Sequence, residues 1–239
     1  TTPASYFYFS VCWSPELRLF VALASNGTGN RVLTSADGIT WAQSNAAADS
    51  SWVSVCWAPE LGIFVAVSAG NFSSNTIMTS TTGTSWTAYS VPSDVSGTTL
   101  KSVCWSPELG KFVAVASNGP VSRGMISTDG SNWTGVNNGQ YIWNSVCWAK
   151  ELGLFVSVAS NGTGARVGTS SNGTDWILRT SPEKVWNSVC WSPQLSLLVA
   201  VGTDTSGNGI MTSPNGFNWT LRTCPANNFW NSVCWSPEL

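Results

Sequence analysis

The chain has 239 residues, of which 9% are charged, with ten basic and twelve acidic side chains, no histidine and a net charge of −2. No run of Lys or Arg offers a phosphate backbone a footprint, so no nucleic-acid partner is expected, and no apolar run approaches the roughly 18 residues of a membrane span, so no insertion into a bilayer is expected. The surface must be covered by Ser, Thr, Asn and Gly, a composition that points to an extracellular, cell-surface or virion-surface protein; Thr1 to Phe9 has neither the basic start nor the cleavage site of a signal peptide, so an exported chain would have lost its address already.

From the N-terminus, Ser-Val-Cys-Trp-Ser-Pro-Glu-Leu stands first at Ser10 to Leu17 and returns, nearly unchanged, at Ser54, Ser102, Ser145, Ser188 and Ser232, in steps of 44, 48, 43, 43 and 44 residues. A period of about 40 to 50 residues filled with short strands is the mark of a propeller blade. In the second repeat the expected strands are Trp52 to Trp57, Ile63 to Ser68, Thr76 to Ser80 and Trp86 to about Ser90, with turns at Ala58 to Gly62 and at Thr82-Gly83. The second strand is apolar throughout in most copies, as in Leu19 to Leu23, Phe112 to Ala116 and Leu197 to Val201, so it must be covered on both faces. No repeat has room for a helix of ten residues. The expectation is an all-β chain, a single β-propeller domain over 1–239 with four-stranded antiparallel blades. Five blades, all complete in sequence, are the expected number, closing as one ring. The alternative is six or more, because a sixth first strand, 230–239, ends the chain and would either begin another blade or self-assemble onto a neighbouring molecule.

Each third turn repeats one pattern: Ser35-Ala36-Asp37-Gly38-Ile39-Thr40-Trp41, then Ser80 to Trp86 with Thr82 and Gly83, Ser127 to Trp133 with Asp129 and Gly130, Ser170 to Trp176 with Asn172 and Gly173, and Ser213 to Trp219 with Asn215 and Gly216. The short acid or amide can accept bonds from its own turn amides, and glycine takes the positive φ. The pattern resembles the Asp-box, or bacterial neuraminidase repeat, of sialidase-type propellers. In those blades the box is structural and lies away from the active site. Here the acid and the glycine adjoin, whereas the family usually spaces them by one residue.

Of fifteen tryptophans, six lie in first strands (Trp13, Trp57, Trp105, Trp148, Trp191, Trp235) and five in the turn (Trp41, Trp86, Trp133, Trp176, Trp219), and these eleven read as core. The other four, Trp52, Trp143, Trp186 and Trp230, occupy the crossover between blades, with Asn144, Asn187 and Asn231 following three of them. An indole beside an amide can build a shallow sugar site, so these seven are the candidate ligand-binding residues. The bland alternative is that they join neighbouring blades. Six cysteines share one repeat position and read as buried small hydrophobes rather than metal ligands or disulfides, while Cys224 reads as a free surface thiol. Glu16, Glu60, Glu108, Glu151 and Glu238 are spread through the Pro-Glu-Leu turns instead of facing one another, and the arginines and tyrosines form no sialidase-like set. No catalytic residues, metal or cofactor are therefore expected, and the expected role is to bind a glycan or protein ligand, or else to serve as a structural or decorating component of a surface layer, fibre or virus particle. Sequons stand at Asn26, Asn71, Asn132, Asn161, Asn172 and Asn218.

Overall fold

The second strands carry the architecture. Leu19–Ala24, Ile63–Ser68, Lys111–Ala116, Leu154–Ala159 and Leu197–Thr203 are largely apolar and, from their second residue on, mostly closed to solvent. Each lies between two strands of its own sheet, and the three from Ile63–Ser68 to Leu154–Ala159 are sandwiched between neighbouring blades. The computed structural model describes residues 6–70, 76–119, 122–203, 208–224 and 228–236. It contains five antiparallel sheets of four strands, each sheet in sequence order, and two single-turn 3₁₀ segments at Ser93–Val95 and Lys150–Leu152. The first, inner strands are Tyr8–Ser14, Trp52–Ala58, Leu100–Ser106, Trp143–Ala149 and Val185–Ser192. Within a blade they pair without gaps, as Cys56 with Val65 and Trp57 with Phe64, apart from an irregularity after the crossover residue. The second-repeat strands expected from sequence coincide with those observed to within two residues at each end.

Neighbouring blades are joined by three repeated devices. The hub serine of one blade accepts the backbone N–H of the valine in the next, from Val55 to Ser10, Val103 to Ser54, Val146 to Ser102 and Val189 to Ser145, at 3.1–3.3 Å. At the far end of the same strands, the first-strand indole of each blade donates to the turn carboxylate of the blade before, from Trp57 to Glu16, Trp105 to Glu60, Trp148 to Glu108 and Trp191 to Glu151, at 2.5–2.7 Å. Those acids are thus inter-blade acceptors, a role their place in a turn did not announce. Between the two lies apolar packing of one blade's Val/Leu face on the next blade's Phe/Ala/Met face; Val21, Leu23 and Val32 meet Trp52, Phe64, Ala66 and Met78 in one cluster.

Residues 230–236 continue this series. Val233 donates its N–H to Ser188 Oγ at 3.2 Å and Trp235 donates to Gln194 Oε1 at 2.6 Å, the same two bonds in a fifth junction. The hub therefore has six inner positions for five complete blades, where a five-bladed ring was expected to hold five. Residues 237–239 of the expected terminal strand, with Glu238, lie outside the described residues, as does the Asn71 sequon.

The third turns show how five similar heptapeptides make one structure. Ser35 Oγ accepts from the Gly38 amide at 2.9 Å, Asp37 Oδ1 accepts from the amides of Ile39 and Thr40 at 2.8 and 2.7 Å, and the Trp41 indole closes the loop onto the Gly38 carbonyl at 3.1 Å. Asp129, Asn172 and Asn215 repeat the arrangement, and in the second copy the Thr82 hydroxyl accepts in place of the acid. The Thr40 and Ile39 amides hold the Asp37 carboxyl down to about 2. Partial burial opposes the same effect at Asp129, but the amide and side chain of Asn132 outweigh it and lower that carboxyl too. A carboxylate whose pKa is lower in the folded chain than the roughly 3.9 of an unfolded Asp adds stability above about pH 4 and loses it as pH falls towards about 2. Asn172 and Asn215 make the bonds without titrating, so Asp37→Asn with Asp129→Asn should flatten the loss of stability between about pH 5 and pH 2. Urea unfolding at the two pH values measures this; an unchanged difference would refute it.

Candidate functional site at the axial cavity

The chain direction within each blade fixes what reaches the axis. After the crossover residue, the next two side chains of every inner strand, from Phe9-Ser10 in the first to Asn231-Ser232 in the last, meet in one cavity of about 290 Å³. Its wall holds six serines, and between them Phe9, Val53, Lys101, Asn144, Asn187 and Asn231 in order round the axis. The lining is therefore lopsided: an aromatic ring and a valine on one side, an ammonium and three amides on the other. Phe9 is 64% exposed.

The candidate residues divide here. Asn144, Asn187 and Asn231 are brought together at the mouth. Two of them also bind backbone, since Asn144 Nδ2 donates to the Trp186 carbonyl at 2.8 Å and Asn187 Nδ2 to the Trp230 carbonyl at 2.9 Å. Trp52, Trp143 and Trp186, expected to offer a flat face to a ligand, are instead 0% exposed. Each indole fills the gap between two blades; Trp143 packs with Val113 and Val115 of the blade before and Phe155 of its own. The Trp52 and Trp186 nitrogens donate to the carbonyls of Ala48 and Pro182. Trp230 is half-buried at the last crossover. The eleven tryptophans read as core are on average less covered than these, Trp13 being 39% exposed. The cause is position: the crossover points into the blade–blade interface, whereas the first-strand indole reaches the rim where the carboxylate waits. Sequence pattern alone does not tell which is sealed, because both places take large side chains: Trp in every first strand, and Trp, Tyr8 or Leu100 at the crossover.

All seven cysteines are free thiols. Burial pushes Cys12 and Cys190 up to about 11 and raises Cys56, Cys104 and Cys147 as well, with neighbouring thiols adding to the effect at most of them. Cys224, expected at the surface, is buried at 7% exposure. Among the described residues no three His, Cys, Asp or Glu side chains are placed to hold a metal ion, and no helix is long and apolar enough to cross a membrane. Arg31, just before the third strand of the first blade, and Arg166, in that of the fourth, donate to carbonyls of the loops before them, at Gly27 and Ser25 and at Gly162 and Ser160, and Arg31 also to the Ser50 carbonyl, so they brace blades and do not converge on one point.

Radial four-stranded sheets about an axial cavity define a β-propeller. No family model matches the sequence, and no curated protein matches it. Among solved structures, the chain is similar to the GH74 enzyme of Niastella koreensis, with a TM-score of 0.70 and 16% identity over 91% of this chain and 38% of that one. It is also similar to a chain of a nidogen/laminin complex, with a TM-score of 0.61 and 11% identity over 87% of this chain and 76% of that one. At these identities the likeness is one of fold, and the chain spans well under half the length of the GH74 enzyme.

Proposed function

We propose that the chain is a non-enzymatic propeller of Asp-box type that binds a glycan or protein ligand outside the cytoplasm, at the mouth of the axial cavity. The observation that carries this reading is the convergence of one repeat position from six copies onto a single cavity lined by three amides, Lys101 and the exposed Phe9 ring. Amides and an ammonium fix hydroxyl or carbonyl groups, and the ring supplies the flat apolar face that a sugar or an aromatic side chain stacks upon. The Asp-box assignment is supported by five turns closed by the same serine, acid or amide, glycine and tryptophan bonds. The absence of a catalytic role is supported by the carboxylates, which are spread round the ring and bonded to the next blade's indole. A likeness to a chain from a nidogen/laminin complex favours keeping a protein ligand beside a glycan.

The test is a glycan array read with the intact chain and with Lys101→Ala/Asn231→Ala, two lining residues outside the inter-blade bonds described above. Loss of two hydrogen bonds should weaken retention by about tenfold or more while the melting temperature holds. Retention unaffected by the pair places the ligand elsewhere. A structural role in a surface layer, fibre or particle is the second reading, favoured by exposed Phe7, Val11 and Trp13 on the first blade. It would show as concentration-dependent polymer with no signal on any sugar.

A further inference from the structure

The sixth inner position is occupied by a strand without its sheet. Residues 231–236 form no strand ladder among the described residues, although Phe229 bridges to Thr203 and the segment makes the serine, asparagine and indole bonds of a first strand. Its outer edge offers unpaired backbone groups, and such an edge recruits another strand. On either side, surfaces that are closed at the other four junctions are open. Val11 is 60% exposed, whereas its counterparts Val55, Val103, Val146 and Val189 are 5–7% exposed. Next to it, Tyr8, Ala22, Leu33 and Trp41 complete an apolar groove of about 280 Å³ on the first blade. A side chain added at Gly83 would strike Leu19 and Val21 of the blade before, but at Gly38 the atom in contact is Phe20 of the same blade, at 3.6 Å. Facing this across the gap, Val199 is half-buried where Val21, Val65, Val113 and Val156 are 0–1% exposed.

We infer that the space between the fifth and first blades is a docking site for a three-stranded antiparallel β-unit of this chain's own repeat chemistry, adding to residues 231–236 as the second to fourth strands of a sixth blade. The interface it would form continues one that occurs four times in the molecule. Its second strand must carry the Phe-Val-Ala-Val or Leu-Val-Ala-Val pattern of the other blades, whose Val face covers Val11 and the Gly38 turn and whose opposite face, Phe or Leu with Ala, covers Val199, as the Ile63–Ser68 strand covers its two neighbours. A glycan or an unrelated helix supplies neither the edge pairing nor the two apolar faces.

The experiment joins a copy of the Ser196 to Arg222 sequence after Leu239, so that the tether keeps the unit at high effective concentration, and compares this extended chain with the original. Hydrogen exchange at the amides of 231–236 should slow by on the order of a hundredfold or more, dye binding to exposed apolar surface should fall, and the extended chain should melt higher. Val11→Asp should leave the melting temperature of the original chain nearly unchanged and lower that of the extended chain by several degrees. Unchanged exchange at 231–236, or the same small Val11→Asp effect in both chains, overturns the inference. So does a dimer of the original chain that protects Val11 and 231–236 at high concentration, since the occupant would then be a second copy.

Discussion

Replacing Trp143 with alanine should lower the free energy of unfolding by about 3–5 kcal/mol, the range for a large aromatic removed from a packed core. Trp143 has no exposed surface and lies against Val113 and Val115 of one blade and Phe155 of the next, 5.3 Å from the Tyr141 ring and 6.4 Å from Trp176. Two blades would lose their filler at once, and strands leave little room for collapse into the hole. Trp13, one of the residues the sequence assigns to the core, is 39% exposed with no blade before it. Its replacement should cost no more than about 1–2 kcal/mol. Urea unfolding of both variants, followed by the β signal in circular dichroism, decides the matter. Equal losses would mean that the crossover is not where neighbouring blades are joined; loss of ligand retention without loss of stability at Trp143 would restore the indole as a binding surface.

A second pair of variants isolates a blade–blade contact at constant backbone geometry. Gly130 and Gly38 hold the same place in the turn at φ of +77° and +71°. Alanine at either suffers the strain of left-handed backbone, about 1 kcal/mol. At Gly130 the new methyl would also stand 2.8 Å from Val65 Cγ2 and 3.1 Å from Ile63 Cδ1 of the preceding blade, and overpacking of that kind adds about 1–3 kcal/mol. Gly130→Ala should therefore be the costlier by that margin, read from the same unfolding curves. Equal costs would show that the turn does not bear on its neighbour. In a chain with a filled sixth blade, the Gly38→Ala cost should rise to match.

The repeat and the strand boundaries were legible in the letters, since a first strand followed by Pro-Glu-Leu, an apolar run and a Gly-Trp turn admits one local solution. Each such segment closes its strand-pairing and turn hydrogen bonds within its own blade, so its neighbours in sequence suffice to specify its local shape. The inter-blade bonds from Trp105 to Glu60 or from Val103 to Ser54 join residues 45 and 49 apart, and nothing in a single repeat marks them as partners. The candidate site fared likewise: the asparagines were found by their periodic place, whereas Phe9 and Lys101 join them only because six inner strands converge on an axis.

By itself the sequence determined an all-β blade and its period, because alternation, turn chemistry and strand length are local properties of the chain. Tertiary structure alone decided which of two equally apolar tryptophan positions is sealed, which polar side chains share a cavity, and that the hub has six places for five finished blades. Those outcomes depend on the angle between stacked sheets and on the removal of water between them, and both exist only once the blades have met.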